Sequence, residues 1–205
     1  MASHPTSLVE LRDGDRMSRE EFLWRWEQLP DLKFAELIDG VVSLSSPLTD
    51  AHSTYEGLIH RWLTAYEDAV PGVAIRANAT WLLADSSPQP DLALIRMDGS
   101  SQLKGKFREG PPELAVEIVE SSWRRDLGPK LELYRRSGVA EYLAVILPRQ
   151  SVEWRVLENG RYQLLAPEDG FLKSRVFPGL WLDVNALFPP DRQRLLAGVN
   201  SGMGS

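Results

Sequence analysis

The chain has 205 residues, 43% of them hydrophobic and 25% charged, which is enough to bury one core of ordinary domain size and too few for two. Its net charge of −6 and pI near 5.2 give no overall attraction to nucleic acid, so any phosphate contact must come from a local basic patch. The absence of cysteine excludes disulfides, thiolate zinc sites and a cysteine nucleophile, and the three scattered histidines (His4, His52, His60) do not make a histidine metal site.

The opening residues carry early charges and lack the apolar run of a signal peptide. The longest uninterrupted apolar stretch, Tyr142 to Leu147, is far shorter than the roughly 20 residues of a membrane span. A cytoplasmic protein with no membrane partner is expected.

Ser18-Arg19-Glu20-Glu21 has the spacing of a capping box, and Phe22, Leu23 and Trp26 give the following helix an apolar side. In KFAELIDGVVSLS, two alternating strands flank Asp39-Gly40, a dipeptide that accepts the positive φ of a tight hairpin. From Ala51 to about Val70, Tyr55, Leu58, Ile59, Trp62 and Tyr66 recur at helical steps, and Pro71-Gly72 ends the helix. VAIRANATWLLA and PDLALIRM read as strands on either side of a turn, and DGSSQLKGKFREGP as a polar, mobile loop.

LAVEIV is a strand apolar on both faces apart from Glu117. DLGPKLELYRRSG is a helix with Pro129 in its first turn and Gly138 at its stop. VAEYLAVIL is a further buried strand, Asn159-Gly160 turns a second hairpin, and FPGLWLDVNALF supplies a short strand and a helical turn. The Trp side chains in the helices, Trp24, Trp26 and Trp62, are assigned to a core or an interface. With no internal repeat, the class is α/β or α+β: one domain with a mixed central β-sheet flanked by helices, additional hairpins, a core over about 18–190 and flexible termini.

The charge at Glu117 is the conspicuous feature, because an unpaired carboxylate in a buried strand costs several kcal/mol or takes up a proton. Lys130 lies on the same helical stripe as Leu127, Leu131 and Tyr134, so the next helix directs an ammonium inward. Asp91 follows Pro90 at the entry to a neighbouring apolar strand. Two carboxylates and one lysine leave an excess of negative charge, and carboxylate oxygens suit Mg²⁺ or Mn²⁺. The competing explanations are a structural Glu117–Lys130 ion pair and a simple strand-entry turn at Asp91.

Pro90-Asp91, LAVEIVESS and RRDLGPKLELYRRSGVAEYLAV, with FAELIDGVV upstream and FPGLWLDVNALF downstream, resemble the Uma-type restriction endonuclease family of the PD-(D/E)xK nuclease superfamily, over about Phe34 to Phe188. The resemblance implies a restriction-endonuclease-like fold, DNA as substrate and a Mg²⁺ or Mn²⁺ cofactor. It assigns metal binding to Asp91 and Glu117 and water activation to Lys130. The superfamily's usual lysine, two residues after the glutamate, is replaced here by Val119, so the helix must supply it through Lys130.

The family's acid in the strand that follows is missing in Tyr142-Leu143-Ala144-Val145-Ile146-Leu147. Its usual S-P-S-T segment is replaced by Glu120-Ser121-Ser122-Trp123. Glu36 matches a recurrent family acid; it would approach the metal or pair with a surface base. His52 lies near a position where the family often has histidine, but at a helix start it is assigned a capping or surface role.

Arg124 and Arg125, in the loop after the Glu117 strand, and Lys104, Lys106 and Arg108, in the long loop after the Asp91 strand, are candidate phosphate contacts, with plain solvated charge as the competing explanation. Cutting both strands of a duplex calls for two sites, which a homodimer would provide. A catalytically inactive nuclease-like fold acting as a nucleic-acid-binding or regulatory module is the alternative function. No G-x-S-x-G elbow, P-loop or dinucleotide fingerprint points to acyl transfer or nucleotide-cofactor chemistry.

Overall fold

The computed structural model describes residues 9–44, 47–121 and 123–204; His4, Ser45 at the end of the expected second strand, and Ser122 lie outside them. The chain runs α1 (Arg19–Glu27), β1 (Ala35–Ile38), β2 (Val41–Leu44), α2 (Asp50–Ala69), β3 (Val73–Ala77), β4 (Trp81–Leu82), β5 (Leu92–Arg96), β6 (Gln102–Lys104), β7 (Phe107–Glu109) and β8 (Leu114–Val119). It continues through α3 (Trp123–Asp126), α4 (Pro129–Ser137), β9 (Glu141–Ile146), β10 (Ser151–Glu158), β11 (Arg161–Leu164), β12 (Phe171–Lys173), β13 (Trp181–Asp183) and α5 (Arg192–Met203).

Several of these boundaries are written in local chemistry. The Ser18 hydroxyl caps α1 by accepting from the Glu21 amide at 3.2 Å. Asp39 and Gly40, and again Asn159 and Gly160, take the positive φ values their hairpins need. Gly138 ends α4 in the left-handed region at φ 83°.

Six strands form the central sheet in the order β11-β10-β9-β8-β5-β3. The β8–β9 pair is parallel and β5–β8 antiparallel, so the sheet is mixed as expected. Alternation divides its side chains between two cores. Leu92, Leu94, Leu114, Val116, Ile118, Leu143 and Val145 face α2 and α5, whereas Ala93, Ile95, Ala115, Val119, Tyr142 and Ala144 face α4. Glu117 falls on the α4 face, between Ala115 and Val119. A third cluster joins Phe22 of α1 to the β1–β2 hairpin.

Three segments differ from the sequence expectations. The expected mobile loop after β5 contains a hairpin, β6–β7, which joins β4 in a separate three-stranded sheet. Alternation there is too short to distinguish from polar loop. The expected strand over VAIRANATWLLA breaks at Asn78, whose φ of 49° turns the chain out of the large sheet. Beyond about residue 190, where a flexible terminus is expected, α5 buries Leu195 and Val199 against β13 and α2. Its glycines made that helix hard to recognise, but they permit the contact: a Cβ on Gly202 would stand 2.2 Å from the Gly179 carbonyl oxygen.

Candidate active site

The β5–β8 pairing sets the first two carboxylates side by side. The ladder ends at Leu92–Val116, and Pro90 cannot extend it. Instead Asp91 Oδ2 accepts the Ile118 amide at 2.6 Å, so the side chain takes over where the backbone ladder stops. Glu117, one residue earlier on β8, is 3% exposed, and its Oε1 accepts from the Tyr134 hydroxyl at 3.0 Å and pairs with Lys130 Nζ at 2.8 Å.

Lys130 is directed inward as its helical phase predicts and is 2% exposed. The apolar stripe around it is shifted slightly: Leu133 and Tyr134 are fully buried, while Leu127 and Leu131 are only partly so. Besides Glu117, the ammonium meets Glu36 Oε1 at 2.7 Å and donates to the Gln89 carbonyl at 3.1 Å. Glu36 is itself held by the Gln89 amide at 2.7 Å. One lysine therefore bridges two carboxylates, Glu117 from the central sheet and Glu36 from the first hairpin. The surface base considered for Glu36 is replaced by a buried one. Gly128, between α3 and α4, lets this helix start close to α3, since a Cβ there would lie 2.4 Å from the Arg124 carbonyl oxygen.

The electrostatics follow from this crowding. Burial pushes the Glu117 carboxyl well above the usual carboxylate range; the Lys130 charge offsets part of that, and Asp91, Asp126 and Glu36 add to it. For Lys130, burial opposes the charged form, yet Glu117, Glu36, Asp126 and Asp91 together raise it, so it remains an ammonium. Burial also pushes the Tyr134 hydroxyl up and keeps it a donor toward Glu117.

His52 belongs to this site more closely than its sequence position suggests. Its backbone amide is capped by the Thr49 hydroxyl at 3.0 Å, and its ring turns inward, with Nε2 3.5 Å from Asp91 Oδ2. That contact raises His52 above its ordinary value against the opposing effect of burial. Nδ1 is buried without a hydrogen-bond partner and stands 3.8 Å from Glu56 Oε2. Gln89, Asp126, Tyr134 and Glu120 are also part of the site or its walls. Tyr134 is on the inward stripe read from the helical spacing, whereas Gln89, Asp126 and Glu120 carry no such periodic signal.

These groups open into a cavity of about 600 Å³. Its acids, Asp13, Glu36, Asp91, Glu117, Glu120 and Asp126, outnumber its Lys and Arg residues, Arg124, Arg125 and Lys130. The Arg125 guanidinium is already engaged: it hydrogen-bonds Ser43, meets Asp126 Oδ1 at 3.4 Å and lies 3.7 Å from Glu36 Oε2. Arg124 is exposed and stacks over the Trp123 ring at 5.2 Å.

The other basic candidates are remote from the cavity. Because β5 runs antiparallel to β8, the chain after β5 leaves from the opposite end of the sheet from Asp91. There Lys104 pairs with Glu109, Lys106 with Glu27, and Arg108 donates to Ser101.

As a place for a divalent cation, the site offers hard oxygen donors and an excess of negative charge. Glu117 Oε2 and Asp91 Oδ1 accept no hydrogen bond from a described residue, and both residues line the cavity. This donor set fits Mg²⁺ or Mn²⁺ with water completing the shell. Among the described residues no three His, Asp or Glu side chains form a ready-made metal cluster.

The chain matches the Uma2 family, described as "Putative restriction endonuclease", over residues 19–185. Among solved structures it is similar to a putative nuclease belonging to DUF820 from Anabaena variabilis ATCC 29413. That match has a TM-score of 0.67 and 16% identity, and covers 84% of this chain and 97% of the other. The two share a fold, a nuclease-like mixed sheet flanked by helices. No curated protein matches the chain. Among the described residues, no helix is long and apolar enough to cross a membrane.

Proposed function

The chain belongs to the Uma2 family, and on that premise we propose that it is a metal-dependent endonuclease hydrolysing DNA phosphodiester bonds through Asp91, Glu117 and Lys130. The observation that carries the proposal is the convergence of a charged, buried lysine and two carboxylates from adjacent strands on one cavity.

Asp91 and Glu117 would hold Mg²⁺ or Mn²⁺, which when bound supplies Lewis acidity toward a phosphoryl oxygen and lowers the pKa of water. The chain's own groups keep that arrangement in place. The Ile118 amide fixes Asp91 Oδ2 and leaves Oδ1 for a ligand. Tyr134 and Lys130 fix Glu117 Oε1 and leave Oε2. Lys130, kept protonated by the surrounding carboxylates, has the charge to orient an attacking water and to stabilise the pentacovalent transition state as the P–O bond to the leaving oxygen breaks.

The test is cleavage of supercoiled, linear and single-stranded DNA by pure protein with Mg²⁺ or Mn²⁺, alongside Asp91→Asn and Glu117→Gln. Loss of several kcal/mol of charge stabilisation corresponds to a fall of about a thousandfold in each variant. Wild-type protein without activity, or variants as active as wild type, would refute the proposal.

A second reading, an inactive nuclease-like binding module, is favoured by one observation: Lys130 pairs with two buried carboxylates, Glu36 and Glu117, as a purely structural ion pair would. Calorimetry separates the two. Mg²⁺ or Mn²⁺ uptake that disappears in Glu117→Gln supports the enzyme, and no uptake by wild type supports the module.

A further inference from the structure

The cavity mouth has an unusual composition for a protein that handles nucleic acid. Of its three basic side chains, Lys130 is buried and Arg125 is engaged by Ser43, Asp126 and Glu36. Arg124 alone among them pairs with no carboxylate of a described residue. Binding to duplex DNA draws most of its strength from many phosphate contacts by Lys and Arg. An acidic cleft with one free arginine cannot make them.

What the mouth offers instead is ring surface. Phe34, two residues before Glu36 and on the same side of the chain, lines the cavity and is 41% exposed. Trp123 does not itself line the cavity, but it is 45% exposed and its ring lies under the guanidinium of Arg124, which does line it, so the two form an aromatic–guanidinium pair at the cavity's edge. Large aromatic rings left in water beside a cleft are the means by which proteins hold unpaired bases, each of which presents a π-face whatever its identity. The cavity volume of about 600 Å³ is that of a small-ligand pocket, in the range of about 300–1,000 Å³, and suits a few nucleotides of one strand.

We propose that the substrate enters as an unpaired DNA strand, its bases stacked on Phe34 and on the Trp123–Arg124 pair while one phosphate reaches the Asp91–Glu117 end of the cavity. This rests on the nuclease function proposed above and names its substrate class. It also removes the need for paired active sites, since a single strand is cut by one.

The experiment measures binding by fluorescence anisotropy of Asp91→Asn protein, in Mg²⁺, to a labelled single strand and to the duplex of the same sequence. Cleavage of both by wild type is followed in parallel. The single strand is expected to bind at least about tenfold tighter than the duplex. Trp123→Ala and Phe34→Ala, both at exposed positions, should each weaken single-strand binding by about tenfold, as loss of one base stack does, whereas Phe34→Trp should retain it. Binding of the single strand should also quench Trp123 fluorescence, as a Trp123→Phe control reports.

Duplex binding as tight as single-strand binding, or unchanged affinity in both alanine variants, overturns the inference. If duplex is cleaved in preference, the nuclease function stands and this substrate class falls. If neither form is cleaved but single-strand binding depends on Trp123 and Phe34, the surface stands and the hydrolytic function falls.

Discussion

Replacing Lys130 by Met gives a sharp test of the charge arrangement, because it removes the ammonium while keeping a long apolar stem. Glu117 and Glu36, each 3% exposed, lose their buried cation together, and the Gln89 carbonyl loses a donor. Breaking a buried pair from one side costs about 3–5 kcal/mol. At about 2–4 °C per kcal/mol for a chain of this size, the expected fall in Tm is about 6–20 °C at neutral pH.

The deficit has a definite pH dependence. The Lys130 charge holds the Glu117 pKa down against burial and the neighbouring acids, so in the variant that pKa rises further above its unfolded value. The folded state then binds more protons than the unfolded one, and stability falls as pH rises through that window. The Tm gap between wild type and variant should therefore shrink as pH falls below about 4, where the unfolded state is protonated as well. Adding Glu117→Gln to Lys130→Met should recover part of the loss, because it deletes one orphaned charge. Circular dichroism melts across pH provide the assay. A neutral-pH Tm within a degree or two of wild type, or a gap that grows on acidification, would refute the assignment of Lys130 as the buried counter-ion.

Two further outcomes follow from other parts of the structure. Asp91 raises the His52 pKa, so the stability this pair adds is complete below the ordinary histidine value of about 6.5 and is lost as pH climbs through the raised value. Without metal, the Tm difference between wild type and His52→Gln should be larger near about pH 6 than near about pH 9, as calorimetry checks. Gly202→Ala should force α5 away from the Gly179 turn, where its Cβ would meet the carbonyl oxygen at 2.2 Å, and lower stability by about 1–3 kcal/mol in urea unfolding.

Much of the site was legible because strand and helix periodicities are strong local signals. Glu117 interrupting an apolar strand and Lys130 on the inward stripe of the following helix were enough to predict their approach, and the 2.8 Å pair agrees. Asp91 could be placed at a strand entry, but the direction of that strand could not be read from its own residues. Antiparallel pairing to β8 brings Asp91 beside Glu117 and carries Lys104, Lys106 and Arg108 to the far end of the sheet. Parallel and antiparallel strands of this length have the same apolar pattern, so the error was one of topology rather than of residue chemistry.

His52 was hidden for a related reason. At a helix start the backbone of a residue serves the cap while its side chain is free to serve something else, and both occur here. Arg125 looked like a substrate contact because charges in a short connection are usually solvated. It is held instead by Ser43 and Glu36 from the hairpin, and by Asp126, the first two distant in sequence. The terminal helix α5 was missed because close packing on Gly198 and Gly202 replaces the large apolar side chains by which helices are recognised.

Gln89 links the two halves of the site entirely through its main chain, with its carbonyl on Lys130 and its amide on Glu36. Its side chain turns to Thr80 instead. Those two contacts survive almost any replacement of the side chain, whereas proline, which has no amide hydrogen, would sever the link to Glu36. A component of the site is thus encoded by the presence of a peptide unit rather than by the identity of a residue. Relatives could differ freely at this position and still keep the lysine between its two carboxylates.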